Sequence, residues 1–363
     1  MSAVGEEPRP IPVPLDQVPE VAEFLTGLRL GVLREESVFA FFGRNDTWAG
    51  VTDTGVPVFV KRTLGEADQV RRRVERTRAM GVVLDTHPVI NAPRFLGGDE
   101  AFGLLAFTLL QDARSGADLA GEDAFTWDLA HAAGIQVGTL HTLRAPRPVA
   151  ADTTEPPLPP RDHLAALPLE IYTASSGAEL ETWAILHNDP EIIEAIGDVC
   201  DRESRGPRVL VHGDLRLDQF LHHGGTLYLT DWEEARLADA ARDVGAFAGE
   251  WLYRGVLGMA RPEDGMSDRE VVAGGARRFE ALRPYVEAFW TGYLDARPAA
   301  RDDHELAARA AAFAGWHLID RVIAAARRRG RLTALERAVA GVGRTALLRP
   351  ADLTTTLGLG EGR

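Results

Sequence analysis

The sequence predicts an α+β fold in which a small β-rich lobe precedes a larger helical lobe. Three observations lead there. Strand-like runs joined by tight turns crowd the first 110 residues, helical patterns dominate from residue 123 onward, and two short strand runs (208–212 and 226–230) interrupt the helices. The division is placed at residue 108, giving an N-terminal lobe of 1–108 and a helical C-terminal lobe of 109–363. A chain of 363 residues is long enough for both. A ligand cleft is expected where two such lobes meet.

The elements follow in order. Residues 1–14 are proline-rich and expected to be poorly ordered. Residues 18–30 read as a helix. "SVFAFFGR" (37–44), "TWAGVTD" (47–53) and "VPVFVKR" (56–62) read as three strands, the last two joined by a turn at Asp53-Thr54-Gly55. A polar helix over 65–81 carries Ala67, Val70, Val74 and Thr77 on one stripe, with Gly81 as its stop. "PRFLGG" and "FGLLAFTLL" supply two more strands, so the small sheet should hold about five strands with one helix inserted after the third. In the second lobe, helices are expected at 123–143, 177–187, 189–203 and after 264. The proline-rich stretch 144–162 is expected to be extended and packed over the helical lobe.

Composition narrows the class. The net charge of −14 argues against nonspecific binding to nucleic acid. The acidic excess lies beyond residue 110, which favours a cationic substrate or a basic partner segment, general solubility being the other reading. No apolar run approaches the ~20 residues of a membrane helix. The N-terminus carries no signal pattern, so no membrane association and a cytoplasmic location are expected. The one cysteine, Cys200, excludes an internal disulfide and is expected to be inert packing. Lys61 is the one lysine among 40 basic residues, the others being arginine.

The chemistry concentrates in "VLVHGDLRLDQFLHHGGTLYLTDWEEARLADAARDVGAF" (209–247). It reads as a strand, an acidic loop, a hairpin and a second acidic group. The loop holds His212, Gly213, Asp214 and Gln219, and after a tight turn the chain returns through "TLYLT" to Asp231. The hairpin should bring Asp214 and Asp231 to the same end. Two carboxylates and an amide suit phosphoryl transfer. One carboxylate takes or orients the proton of an attacking hydroxyl, while the other and the amide oxygen hold Mg²⁺. A cation for the nucleotide phosphates must come from elsewhere, and Lys61, ending the third strand, is placed for it.

"HGDL", an amide five positions after its Asp, a hairpin and then "TDWE" together resemble the aminoglycoside phosphotransferase and choline kinase superfamily, which has the bilobal protein-kinase-like fold. The resemblance spans roughly 30–345, and its two-part signature is specific. It implies ATP and Mg²⁺ as cofactors and assigns roles by position. Asp214 matches the catalytic base and Asp231 the metal-binding Asp. Lys61 matches the phosphate-binding lysine, with Glu75 as its salt-bridge partner. Phe59 matches the residue covering adenine, and backbone groups of Thr108 and Leu110 those bonding the adenine edge. His212 and Asp243 match residues that brace the catalytic loop.

Three departures accompany it. Gln219 stands where asparagine is usual at the second metal position, and Arg216 where histidine is common. The phosphate loop "FGRNDTWAG" (42–50) is poor in glycine. The same runs, with "LPPRDHLAALPLEIY", more narrowly resemble the kinase component of class V lanthionine synthetases and thioamitide pathways, where Arg216 and Gln219 are expected. That resemblance implies phosphorylation of Ser or Thr in a ribosomally made precursor peptide, followed by elimination by a partner lyase. Two alternatives stand beside it: a kinase for a small-molecule alcohol such as an antibiotic, and a pseudokinase that binds nucleotide and organises partners. Glu233 reads as either a metal-site group or a surface residue. The arginines at 71–73 and 327–329 read as solvated helix faces, and Trp316, His317 and Arg321 as core packing in preference to acceptor lining.

Overall fold

The computed structural model describes residues 11–41, 45–156, 159–258, 268–327 and 329–360. Outside the described residues fall 1–10 of the proline-rich start, 42–44 of the phosphate loop, 157 and 158 of the proline-rich connection, 264–267 at the expected start of the late helices, and 328 of the second arginine triplet. In chain order come α1 (Pro19–Gly27), β1 (Asp46–Val51), β2 (Pro57–Arg62), α2 (Ala67–Asp85), β3 (Phe95–Asp99), β4 (Leu104–Thr108), β5 (Arg114–Ser115), α3 (Gly116–Gly121) and α4 (Trp127–Leu140). Short α5 (Arg147–Ala151), α6 (Arg161–Ala165) and α7 (Leu169–Ala174) precede α8 (Gly177–His187) and α9 (Pro190–Arg205). Strands β6 (Val209–Val211), β7 (Phe220–His223), β8 (Thr226–Leu229) and β9 (Arg236–Ala238) follow. The chain then forms α10 (Ala241–Leu257), α11 (Asp268–Ala296), α12 (Leu306–Ala326), α13 (Ala334–Leu348) and α14 (Pro350–Leu357). This is a mixed α+β chain, 58% helical, with a small antiparallel sheet early and helices late.

The residues form two compact units. The first comprises Met1–Ser115, Pro146–Ala151 and Phe220–Ala235. Its main sheet has the antiparallel order β1-β2-β4-β3. Alternation on β2 sends Val58 and Val60 into a core with Trp48, Leu104 and Ala106, closed by Val21 and Leu25 of α1. Trp48 satisfies its buried Nε1–H by donating to the Val13 carbonyl at 2.8 Å. Among the described residues the sheet has four strands, not about five. Residues 35–37 form a 3-10 turn, and the described part of the expected first strand, 37–41, pairs through a single bridge between Phe39 and Ala49. The inserted helix accordingly follows the second strand.

Gly81 does not stop α2, which runs on to Asp85. A Cβ at Gly81 would lie 2.8 Å from the Cβ of Phe95, so the glycine permits the helix to rest directly on β3. The 144–162 stretch is also not wholly extended. Its residues 147–151 form α5, which packs on α2 in the first unit, and α6 begins at Arg161. β5, β7 and β8 make a second small sheet in which Phe220 pairs with Leu229, so the chain enters and leaves this hairpin at the same end.

The second unit comprises Gly116–Ala145, Asp152–Gln219 and Arg236–Arg363. Its centre is the packing of α4 on α11 and of α10 on both α11 and α12. A Cβ at Gly134 of α4 would meet the Phe289 carbonyl oxygen of α11 at 2.0 Å, so these two helices approach backbone to backbone. Stacked rings fill the adjoining layer: Phe247 on Phe289 at 4.0 Å and Trp251 on Tyr285 at 4.3 Å. Capping boxes at Ser176/Glu179 and Thr333/Glu336 fix where α8 and α13 begin, and Asp189 with Pro190 starts α9. Cys200 is half-buried, and burial pushes its thiol pKa up. No helix of the described residues is long and apolar enough to cross a membrane.

Candidate active site

In the first unit, the face of the sheet opposite α1 carries Phe59 and Lys61 of β2 with Phe107 of β4. Phe41, Phe59, Phe107 and Phe95 follow one another across it at centroid spacings of 5.7, 6.3 and 5.7 Å. This is an aromatic floor with one cation at its edge. Lys61 is only 8% exposed. Its Nζ donates to Asp231 Oδ1 at 2.5 Å and lies 2.8 Å from Glu233 Oε2. Burial pulls the ammonium pKa down, but the charges of Asp231 and Glu233 outweigh it and the net shift is upward.

Asp231 holds φ 68°, ψ 55°, a left-handed conformation that aspartate tolerates better than most residues, as it opens the Trp232–Glu234 turn. That turn is fastened to α2. Arg73 Nε donates to Glu234 Oε1 at 2.9 Å, and Arg76 Nη1 reaches Glu234 Oε2 at 3.4 Å and the Glu233 carbonyl at 3.1 Å. The Lys61–Glu75 pair expected from the sequence is therefore absent. Position 75 is rotated off the α2 face that meets the turn, where Arg73 and Arg76 stand one helical turn apart. Glu233 takes the place proposed for Glu75, and at 3% exposure it is not a surface residue. Arg73 is likewise not a solvated charge.

At the expected adenine edge, the Thr108 N–H is already used, donating to the Arg94 carbonyl at 2.9 Å. The Leu109 N–H donates to the Pro57 carbonyl at 3.3 Å, whereas the Leu110 N–H donates to no group among the described residues.

In the second unit, the loop after β6 is held from below by Asp243 of α10. That fully buried carboxylate accepts from the N–H groups of His212 at 2.7 Å and Gly213 at 3.0 Å, and meets His141 Nε2 at 3.1 Å. His141 Nδ1 in turn bonds the Tyr293 hydroxyl at 3.0 Å. Burial opposes ionisation of Asp243, yet His141 and His212 hold its pKa below the ordinary value. Asp214 is thus carried on a fixed loop with its side chain 31% exposed. Arg216 Nη1 lies 3.5 Å from Asp214 Oδ2, and its Nε donates to Asp218 Oδ1 at 3.0 Å. Gln219 is buried and bonds back to the Arg216 carbonyl through its N–H at 3.1 Å.

Behind this loop Glu250 of α10 accepts from or shares a proton with His317 of α12 at 2.7 Å. Burial would raise the Glu250 pKa, but His317, Arg321 and Arg216 together bring it down to about 2. A depressed carboxylate contributes stability above its unfolded pKa. That contribution, on the order of 3 kcal/mol, should be present above about pH 4.5 and drain away as pH falls towards 2. Thermal melts from pH 6 to pH 2 should therefore show an acid-side loss that Glu250→Gln flattens.

A family profile described as the phosphotransferase enzyme family (APH) matches residues 43–301. The chain belongs to this family. It is an enzyme, an ATP-dependent phosphotransferase acting on hydroxyl groups. Among solved structures, choline kinase LicA from Streptococcus pneumoniae is similar with a TM-score of 0.54 at 15% identity, over 92% of this chain and 99% of that one. Amicoumacin kinase hAmiN, solved in complex with AMP-PNP, Ca²⁺ and Ami, is similar with a TM-score of 0.51 at 14% identity, over 92% and 95%. A Plasmodium vivax ethanolamine kinase gives 0.51 at 13%, over 87% and 82%. At such identities these likenesses speak for the fold. No curated protein matches the chain.

Within this phosphotransferase the structure brings Lys61 together with Asp231 and, in the other unit, Asp214 with Arg216. It leaves Glu75 apart. Sequence reasoning missed Arg73, Arg76 and Glu234. Their signal was present as arginines three apart flanking the buried Val74, facing two consecutive glutamates in "DWEE".

Proposed function

We propose that this phosphotransferase is a Mg²⁺-ATP-dependent kinase for Ser or Thr hydroxyls of a ribosomally made precursor peptide, preparing them for elimination by a partner lyase. The observation that carries the kinase reading is the 2.5 Å contact between Lys61 and Asp231, 170 residues apart in the chain. A lone ammonium and a metal-type carboxylate meet at the edge of an aromatic floor. Support for a peptide acceptor comes from the loop "HGDLRLDQF", where Arg216 adjoins Asp214.

The donor set suits the metal. Mg²⁺ takes one or two protein oxygen ligands and keeps its other positions for phosphate and water. Asp231 of the first unit would supply a carboxylate ligand, and Gln219 of the second is the amide that the resemblance assigns to the same role. When bound, the ion neutralises charge on the transferring phosphoryl group. Lys61 would hold the α and β phosphates, and Phe59 with Phe107 would face the adenine, for which the Leu110 N–H would be a hydrogen-bond donor. Asp214 would orient the acceptor hydroxyl and receive its proton, with Arg216 Nη1 lying 3.5 Å from its Oδ2.

A second reading, a kinase for a small amino-alcohol, draws on the acidic excess of the chain. Mass spectrometry of a Ser/Thr peptide panel and an amino-alcohol panel, each incubated with ATP and Mg²⁺, separates the two. An 80-dalton adduct on peptide alone supports the proposal, and an adduct on the amino-alcohols alone overturns it. An adduct on neither, with nucleotide still bound, points to a scaffolding pseudokinase.

A further inference from the structure

Arg297 begins a chain of hydrogen bonds that ends at the loop carrying Asp214, and every link lies in the second unit. Its Nη1 donates to the Tyr293 hydroxyl at 2.6 Å. That hydroxyl meets His141 Nδ1 at 3.0 Å, and His141 Nε2 meets Asp243 Oδ2 at 3.1 Å. Asp243 in turn accepts from the N–H of His212 on Oδ2 at 2.7 Å and from that of Gly213 on Oδ1 at 3.0 Å. Tyr293, His141 and Asp243 are buried, whereas Arg297, just past the end of α11, is half-buried.

The chain has a built direction. A guanidinium only donates hydrogen bonds. The Tyr293 oxygen therefore accepts from Arg297, and its own proton has His141 Nδ1 as the one acceptor among the described residues. Burial pushes the phenol pKa up to about 12, so that proton stays on. His141 Nδ1 is then an acceptor, which places the ring proton on Nε2, facing Asp243. The reverse tautomer would set a lone pair against a carboxylate. Gly138 makes room for the contact. A Cβ there would lie 2.6 Å from the Tyr293 carbonyl oxygen, so α4 rests on α11 and brings His141, three residues on, to 5.5 Å between ring centroids. Because Asp243 Oδ2 is shared between His141 and the His212 N–H, the ring's hold on that oxygen fixes the carboxylate plane that both loop amides need.

We propose that Arg297, Tyr293 and His141 are positioning residues for the loop that carries Asp214, holding Asp243 in place through a hydrogen-bond chain whose direction Arg297 sets. They act through Asp243 and not on substrate, whichever hydroxyl is phosphorylated.

The test uses the whole protein without substrate. Imidazole ¹⁵N spectra, with the His141 signals assigned by their loss in His141→Phe, should show Nε2 protonated and Nδ1 not. Arg297→Lys, still a donor only, should keep that pattern. Arg297→Glu, an acceptor, should draw the Tyr293 hydroxyl bond to itself and leave Nδ1 protonated, an effect that loss of packing alone would not produce. Hydrogen exchange gives the second readout. Tyr293→Phe breaks the chain, and the His212 and Gly213 amides should then exchange about threefold to tenfold faster relative to the Ile196 amide of α9, the worth of one hydrogen bond. Circular dichroism checks that the variants fold, and the parent spectrum decides the direction even where one does not. Nδ1 protonated in the parent, a pattern indifferent to Arg297→Glu, or exchange that rises equally at Ile196 overturns the proposal.

Discussion

Asp214→Ala lowers turnover by about 10²–10⁴-fold, the usual cost of a lost general base, while the protein melts within a few degrees of the parent. The two halves of that expectation have separate causes. The loop is held by the His212 and Gly213 N–H groups donating to Asp243, and neither bond involves the Asp214 side chain. Truncating it therefore removes the proposed proton acceptor and leaves the scaffold. Stopped-time assays with ATP, Mg²⁺ and a competent acceptor read the first effect, and calorimetry reads the second. Turnover within a factor of three of the parent would mean that the attacking hydroxyl is deprotonated elsewhere.

Substitution of Lys61 should strike both activity and stability, and the choice of replacement separates them. Lys61→Met leaves Asp231 and Glu233 facing one another around a position with no cation. Breaking a buried pair in this way costs about 3–5 kcal/mol, unless one carboxylate takes up a proton. Lys61→Arg keeps the charge and should preserve the fold, but its longer planar fork cannot sit where a compact ammonium meets two carboxylates. Activity should then fall by at least tenfold with little change in melting temperature. An arginine variant with full activity would reduce the retention of one lysine among 40 basic residues to chance. The pH dependence has a definite sign. Because the Lys61 pKa lies above the ordinary 10.5, its contribution to stability is complete below that pH and is lost only as pH rises past the higher folded value.

The architecture was legible because its signals are periodic. β2 alternates, α8 and α9 begin on capping residues, and the Gly-rich turn between β7 and β8 fixes a hairpin. The loop that carries Asp214, Arg216 and Gln219 stood out because its residues are close in sequence. What failed depended on neighbours distant in the chain. Nothing local told that residues 37–41 would pair backbone to backbone with β1 at one bridge only, or that Gly81 marks contact with Phe95 and not a helix end. The partner of Lys61 was misassigned for the same reason. A resemblance fixes which residue types belong to a site, but the register of α2 decides which of Arg73, Glu75 and Arg76 turns inward, and one position along a helix is a rotation of about 100°.

The placement of Lys61 has an analytical use independent of its chemistry. A lysine-specific protease can cut this chain at one peptide bond only, between Lys61 and Arg62. That bond lies in β2, hydrogen-bonded to β1 on one side and β4 on the other, and its side chain is occupied by two carboxylates. A protease needs an extended, unpaired segment, so the folded sheet is closed to it. The appearance of two fragments, residues 1–61 and 62–363, therefore times the opening of the sheet without label or mutation. A nucleotide that occupies the aromatic floor would slow that clock in proportion to its binding.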